Sequence, residues 1–218
     1  MTLSRVAVRV DVVAFSIRDD ELQVLLWRRQ EKPFEGYWML PGGFVERRES
    51  LEGAAARILR ERTGLEDVYL EQLFTFGDPG NDPRGPFVSI SYYAIVPGSR
   101  EPLDISFHAA RRPPRLAFHH QDVLAQGVDR LRTKTEYSTV PLRFLDEPFT
   151  LSDVQGVYEV LLGRPLDKRN FRRKMLALEA LEETPQKRRL GAHRPARLFR
   201  VSPARPYLLK EKGILFPF

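Results

Sequence analysis

The chain has no cysteine in its 218 residues. That excludes a disulfide framework, a thiolate-bound metal and a cysteine nucleophile, and it fits a reducing compartment. Also missing is any apolar run near the ~20 residues needed to cross a bilayer. The segment Met1 to Val10 leads into an alternating pattern rather than a signal-peptide layout. A cytoplasmic protein without membrane association is therefore expected. No internal repeat and no low-complexity tract occurs. What is present is an ordinary soluble mixture, 42% hydrophobic and 29% charged, long enough for one or two domains with a sizeable core.

The charge is unevenly spread. Lys and Arg number 35 against 29 Asp and Glu, a formal net charge of +6. From Leu151 onward there are 15 basic and 7 acidic residues, a balance of +8, whereas the first 150 residues sum to −2. A slightly acidic large part joined to a basic small part suggests two jobs, the basic part being a candidate for nucleic acid. A solvated basic tail is the plainer alternative.

Val6 to Phe15 reads as a strand, Arg18-Asp19-Asp20-Glu21 as a polar turn, and Leu22 to Trp27 as a second strand, so residues 5–28 form a hairpin. Residues 31–43 look loop-like, with Pro33, Gly36, Pro41, Gly42 and Gly43 as punctuation. The spacing of Leu51, Ala55, Ile58 and Leu59 predicts a helix from Ser50 to Arg62, with Gly64 at its C-cap. Strands follow at about 67–76 and 87–96, separated by a long loop rich in Gly and Pro, with Leu116-Ala117-Phe118 as a last strand. Leu124, Val128 and Leu131 mark a helix over about 121–134. The adjacent His119 and His120, with Asp122, invite a metal site, but at a strand-to-helix junction they read as solvent-facing or capping residues.

Beyond residue 148 short helices take over. Ser152-Asp153-Val154-Gln155 has a capping-box pattern, and Val154, Val157, Tyr158, Leu161 and Leu162 give the helix one apolar face. After the turn Gly163 to Leu166, Asp167 caps a second helix, with Phe171, Met175 and Leu178 on its buried face and Arg169 and Arg173 roughly opposite. A basic, Gly-containing loop, Gln186 to Pro195, precedes the alternating strand Ala196 to Val201. Two helices joined by a short turn, the second basic, followed by a basic hairpin, is a winged helix-turn-helix layout. Lys168, Arg169, Asn170, Arg172, Arg173 and Lys174 are the candidate DNA-binding residues on the helix. Lys187, Arg188, Arg189, His193 and Arg194 are those of the wing. Arg169, Arg172 and Arg173 are expected near base edges, and Lys168 and Lys174 near phosphates. Single-stranded RNA would call for exposed aromatics, and Phe171 and Phe199 both fall in apolar phase.

The segment Pro41 to Leu65 resembles the Nudix box. Gly43, Glu49, Arg57, Leu59, Glu61, Gly64 and Leu65 fall in register over 23 residues. The fold implied is an N-terminal Nudix α/β/α sandwich. Two positions depart: Ile58 and Arg62 stand where the family pattern has Glu. Hydrolysis of a pyrophosphate needs clustered oxygen ligands for a hard cation such as Mg²⁺. Positions 58, 61 and 62 share a helical neighbourhood, of which only Glu61 is acidic, and Arg57 at i−4 can pair with it. No catalytic residue, no metal site, no required cofactor and no use of Mg²⁺ are expected. Such a domain can still bind a diphosphate through a Gly-rich turn and cations. Arg28, Arg29, Gly42, Gly43, Phe44, Phe76 and Arg84 are the candidates, each Arg having a surface ion pair and each Phe a core position as its alternative.

Both halves together resemble the Nudix-related transcriptional regulators of NAD metabolism, an ADP-ribose pyrophosphatase-like Nudix domain followed by a winged helix-turn-helix. The stretches carrying this are Asp11-Val12-Val13, Leu22 to Leu26, Phe34 to Val45, Gln72 to Pro79, Asp82 to Gly85 and Gly163 to Lys174. The expected division is 1–145 for a ligand-sensing domain and 146–218 for the DNA-binding domain. The resemblance implies a homodimer that represses genes for NAD synthesis or salvage, binds double-stranded operator DNA, and responds to ADP-ribose or a related nucleotide. Sugar-responsive relatives share the architecture. The rival reading is an active Nudix hydrolase of the ADP-ribose pyrophosphatase type with an accessory C-terminal domain.

Overall fold

In the computed structural model, residues 6–77, 87–100, 106–189 and 195–203 are described. The expected candidates Arg84, His193 and Arg194 lie outside them. The chain divides into two compact units, the first ending at Arg130 and the second starting at Leu131, with Ile17–Glu21 and Pro97–Ser99 grouped with the second.

The first unit is built on a sheet. Strands β1 (Ala7–Arg18) and β2 (Glu21–Arg28) flank Asp19 and Asp20, whose positive φ values of 50° and 56° suit a tight two-residue turn. Short strands β3 (Trp38–Met39) and β4 (Gly42–Phe44) follow, then helix α1 (Leu51–Thr63), β5 (Tyr69–Phe76), β6 (Phe87–Ile95), β7 (Ser106–Ala109) and helix α2 (His120–Tyr137). The sheet order is β3-β2-β1-β6-β5, with β4 paired to β1 and β7 to β2. The β1–β6 pair is parallel, from Ala7 opposite Phe87 to Phe15 opposite Ile95.

Alternation along β1 sets the two faces. Val10, Val12 and Ala14 pack with Ala54, Ala55, Ile58 and Leu59 of α1. Val13 and Phe15 lie on the other face, so close to Gly127 of α2 that a Cβ there would come within 3.0 Å of the Phe15 ring. The sheet is thus sandwiched between two helices. Ser50 caps α1 by accepting from Gly53 N, and Gly64 ends it in the left-handed region at φ 70°.

Two local expectations are corrected in the first unit. Gly42 and Gly43 lie in a strand rather than a turn, opposite Asp11 and Val10. Leu116 makes a single bridge to Trp38 instead of beginning a strand. The short strands β3 and β7 had no counterpart in the sequence reading.

The second unit contains the 3-10 turn Val140–Phe144, α3 (Leu151–Leu162), α4 (Lys168–Ala177), β8 (Leu181–Arg188) and β9 (Ala196–Val201). Its core gathers Leu142, Phe149, Val154, Tyr158, Leu166, Phe171, Met175, Leu178 and Phe199. The capping box of α3 belongs to Thr150 and Asp153, two residues ahead of the expected Ser152: Thr150 Oγ1 accepts from Asp153 N at 3.1 Å and Thr150 N donates to Asp153 Oδ2 at 2.8 Å. Gly163, at φ 69°, ends α3. The turn is pinned by Glu159, whose Oε1 accepts from Leu166 N at 2.8 Å and Gln155 Nε2 at 2.9 Å. Asp167 caps α4 as expected, accepting from Asn170 N at 2.7 Å. Strands β8 and β9 form an antiparallel hairpin, and Phe149 and Phe199 exchange backbone bonds at 2.9 and 2.7 Å. Gln186, Lys187 and Arg188 belong to β8 and not to a loop. Among the described residues no helix is long and apolar enough to cross a membrane.

Candidate functional site

The carboxylates around α1 close on one arginine. Arg57 donates through Nε and Nη2 to both oxygens of Glu49, at 2.8 and 2.9 Å. Its Nη1 lies 3.3 Å from Glu61 and 3.6 Å from Glu46, and Nη2 also reaches the Phe44 carbonyl at 3.1 Å. The bidentate bond from Arg57 holds the Glu49 carboxyl down at about 2. Ile58 does not join this group. It is 2% exposed in the core, and a Cβ on Gly43 would meet it at 3.3 Å. Arg62 does not face Glu61 either: its guanidinium lies 4.3 Å over the Trp27 ring. Arg57 thus sits among the carboxylates of Glu46, Glu49 and Glu61. Among the described residues no three His, Asp or Glu side chains are grouped to hold a metal ion.

A second cluster escaped the sequence reading. Asp11, fully buried in β1, accepts from Arg9 Nε at 2.9 Å and Ser89 Oγ at 2.5 Å, with His120 Nε2 at 3.5 Å. Leu40 N donates to His120 Nδ1 at 3.0 Å, which leaves the ring proton on Nε2, facing Asp11. Burial by itself raises the Asp11 carboxyl, but Arg9, His120 and Ser89 outweigh it and hold it well below the usual carboxylate range. His120 is therefore a core residue, 1% exposed, and not a solvent-facing one. Gly42 is required by this cluster, because a Cβ would stand 2.1 Å from Asp11 Oδ1. The signal was available: an aspartate between valines in mid-strand, at Val10-Asp11-Val12, is costly unless paired.

The expected ligand candidates fall into separate contacts. Arg29 is buried and closes its own loop, donating to the Pro33 and Lys32 carbonyls at 2.5 and 3.1 Å with its guanidinium 5.2 Å from the Phe118 ring. Arg28 is exposed and donates to the Gly36 carbonyl at 3.2 Å. Phe44, half exposed, meets the Phe87 ring edge-on at 6.1 Å. Phe76 lies 4.9 Å from His119, whose ring burial biases toward the neutral form.

In the second unit, Lys168, Arg169 and Arg173 are exposed on α4 while Phe171 and Met175 are buried. Arg173 donates to Asn170 Oδ1 at 2.9 Å, and Lys174 is half-buried. Arg172 turns back toward α3, donating to Ser152 Oγ at 3.1 Å. On the hairpin, Lys187 and Arg189 are exposed. Arg188 instead ties β8 to the start of α3, through Asp153 Oδ2 at 2.9 Å and the Pro148 carbonyl at 3.1 Å. Arg197 and Arg200 pair with Glu183 and Glu182 at 3.0 and 2.9 Å.

A helix-sheet-helix sandwich carrying a box segment, joined to a winged helix-turn-helix, defines a two-part class: a ligand-type domain and a DNA-binding domain. Residues 7–130 match the NUDIX domain family, and residues 141–201 match the NrtR DNA-binding winged helix domain. The ADPR responsive transcriptional repressor NtrR of Acinetobacter baylyi is 38% identical over 203 residues, 88% of this chain and 81% of that protein. The structure of Shewanella oneidensis NrtR complexed with a 27mer DNA matches with a TM-score of 0.80 at 37% identity, covering 90% of this chain and 94% of that one. The NUDIX domain of the same protein complexed with ADP ribose matches 59% of this chain and 90% of its own at 34% identity, with a TM-score of 0.52. The chain belongs to the NrtR family of Nudix-related transcriptional regulators.

Proposed function

We propose that the chain is a transcriptional repressor that binds double-stranded operator DNA through its second unit and releases it when ADP-ribose or a related nucleotide occupies the first. Its targets are genes of NAD synthesis or salvage, and it acts as a homodimer that reads two half-sites about one helical turn, or a multiple, apart. The observation that carries this reading is a contrast of charges. At α1 the carboxylates are closed on Arg57, whereas at α4 Lys168, Arg169 and Arg173 stand in solvent. The first arrangement suits a domain that binds a nucleotide without cutting it, and the second suits a helix laid in the major groove. Mg²⁺ is not required for either step.

A relative that is a repressor responsive to ADP-ribose, alike across 88% of this chain, supports the same reading. For the ligand to act as a signal it must bind the DNA-free and DNA-bound states with different affinity. The test is binding of a duplex, selected by the protein from a random pool, with and without ADP-ribose over a salt series. Release by ADP-ribose and a steep loss of affinity with salt are expected. Binding unchanged by the nucleotide overturns the switch.

A further inference from the structure

Six cations of the DNA-reading elements, Lys168, Arg169, Arg172, Arg173, Lys187 and Arg189, have no carboxylate partner among the described residues, in contrast with Arg188, Arg197 and Arg200. Two of the six, Arg172 and Lys187, are brought together by one open cleft of about 600 Å³ in the second unit. Arg172 comes from α4, Lys187 from β8, and Ser152 from the first turn of α3 lines the same cleft. Ser152 Oγ already accepts from Arg172, so its own O–H is left to donate. The acidic side chain of the lining, Glu183, is neutralised by Arg197 at 3.0 Å. The cleft therefore offers two unpaired cations and a hydroxyl donor from three successive elements. That donor set suits a phosphodiester oxygen, whereas the edge of a base calls for a planar donor and acceptor pair.

We infer that this cleft seats a backbone phosphate of the bound DNA, making Arg172, Lys187 and Ser152 a register-setting clamp and leaving base reading on α4 to Arg169 and Arg173. The inference rests on the DNA-binding reading above, and it reassigns Arg172 from the base edges expected of it. Arg188 serves the clamp indirectly as a positioning residue, since its bonds to Asp153 and the Pro148 carbonyl fix the strand that carries Lys187.

The full-length protein is assayed against the selected duplex and a scrambled duplex of equal length, between 50 and 200 mM salt. Arg172→Gln and Lys187→Gln each lower affinity for both duplexes by the same factor, and each reduces the slope of log K against log salt by about 0.9. The preference of the protein for the selected duplex is unchanged. Arg169→Gln, in contrast, lowers that preference roughly tenfold or more. Lys187 is exposed on the hairpin, so its variant reports even where Arg172→Gln disturbs the fold. A loss of preference in Arg172→Gln, or an unaltered slope in both cleft variants, overturns the assignment. Failure of the wild type to bind either duplex is a distinct outcome that overturns the DNA-binding reading, and the clamp with it.

Discussion

Arg57 decides the character of the first unit. A single guanidinium satisfies Glu49 bidentately and reaches Glu46 and Glu61, so these three carboxylates share one cation. Replacing it by Gln frees them. In Arg57→Gln the Glu49 carboxyl rises from about 2 toward the ordinary range near ~4.3, with the Glu46 N–H still holding it below that value, which a titration followed by NMR reads directly. Asp11 has the opposite character, a buried charge with every partner supplied. Asp11→Asn leaves Arg9 uncompensated in the core and lowers the stability of the first unit by roughly 3–5 kcal/mol. The sign with pH follows from its depressed folded value. The stabilisation is complete above the ordinary aspartate value near ~4 and is lost progressively as pH falls below it. Both tryptophans of the chain, Trp27 and Trp38, lie in the first unit. Denaturant unfolding followed by tryptophan fluorescence at pH 7 and pH 3 therefore reports that unit, and the gap between wild type and variant narrows at the lower pH.

At the scale of elements, the strong local signals were legible. Ser50 and Gly64 bracket α1, Asp167 starts α4, and the apolar faces of α2, α3 and α4 follow their helical spacing into the core. The misses have physical reasons. Strands of two to four residues such as β3 and β7 show no alternation to read. The glycines at 42 and 43 look like a turn because the residues they pack against, Asp11, which excludes a Cβ at 42, and Ile58, are distant in sequence and adjacent only across the fold. Ile58 and Arg62 were placed with Glu61 by helical geometry, yet the sheet takes one and Trp27 the other. The wing was read from its basic residues, but Glu182, Glu183 and Asp153 neutralise three of its arginines. Two outcomes test this level. Asp167→Ala removes the N-cap of α4 and lowers the stability of the second unit by about 1 kcal/mol, measured by circular dichroism. Arg200→Gln leaves the salt slope of DNA binding unchanged, because that charge is already paired with Glu182.

For the whole molecule, the +6 net charge averages two unlike surfaces. In the first unit carboxylates and arginines close on one another. In the second, Lys168, Arg169 and Arg173 on α4 and Lys187 and Arg189 at the hairpin are exposed to an anionic polymer. Residue types and their order were enough to find both surfaces in the sequence. Of the pairings only Arg57 with Glu61, four positions on, was legible there, since the other partners of Arg57 and those of Arg188, Arg197 and Arg200 lie 8 to 35 positions away and are chosen by packing. The central claim, a sensor that binds without cutting joined to a reader that grips DNA, is tested most directly in one titration. ADP-ribose is added, with Mg²⁺ present, to the protein bound to its selected, fluorescently labelled duplex, and anisotropy and nucleotide integrity are followed in the same sample. The account predicts that the duplex is released while the ADP-ribose remains intact. Retention of the duplex at saturating ADP-ribose, or breakdown of the nucleotide at ~1 s⁻¹ or faster, would contradict it.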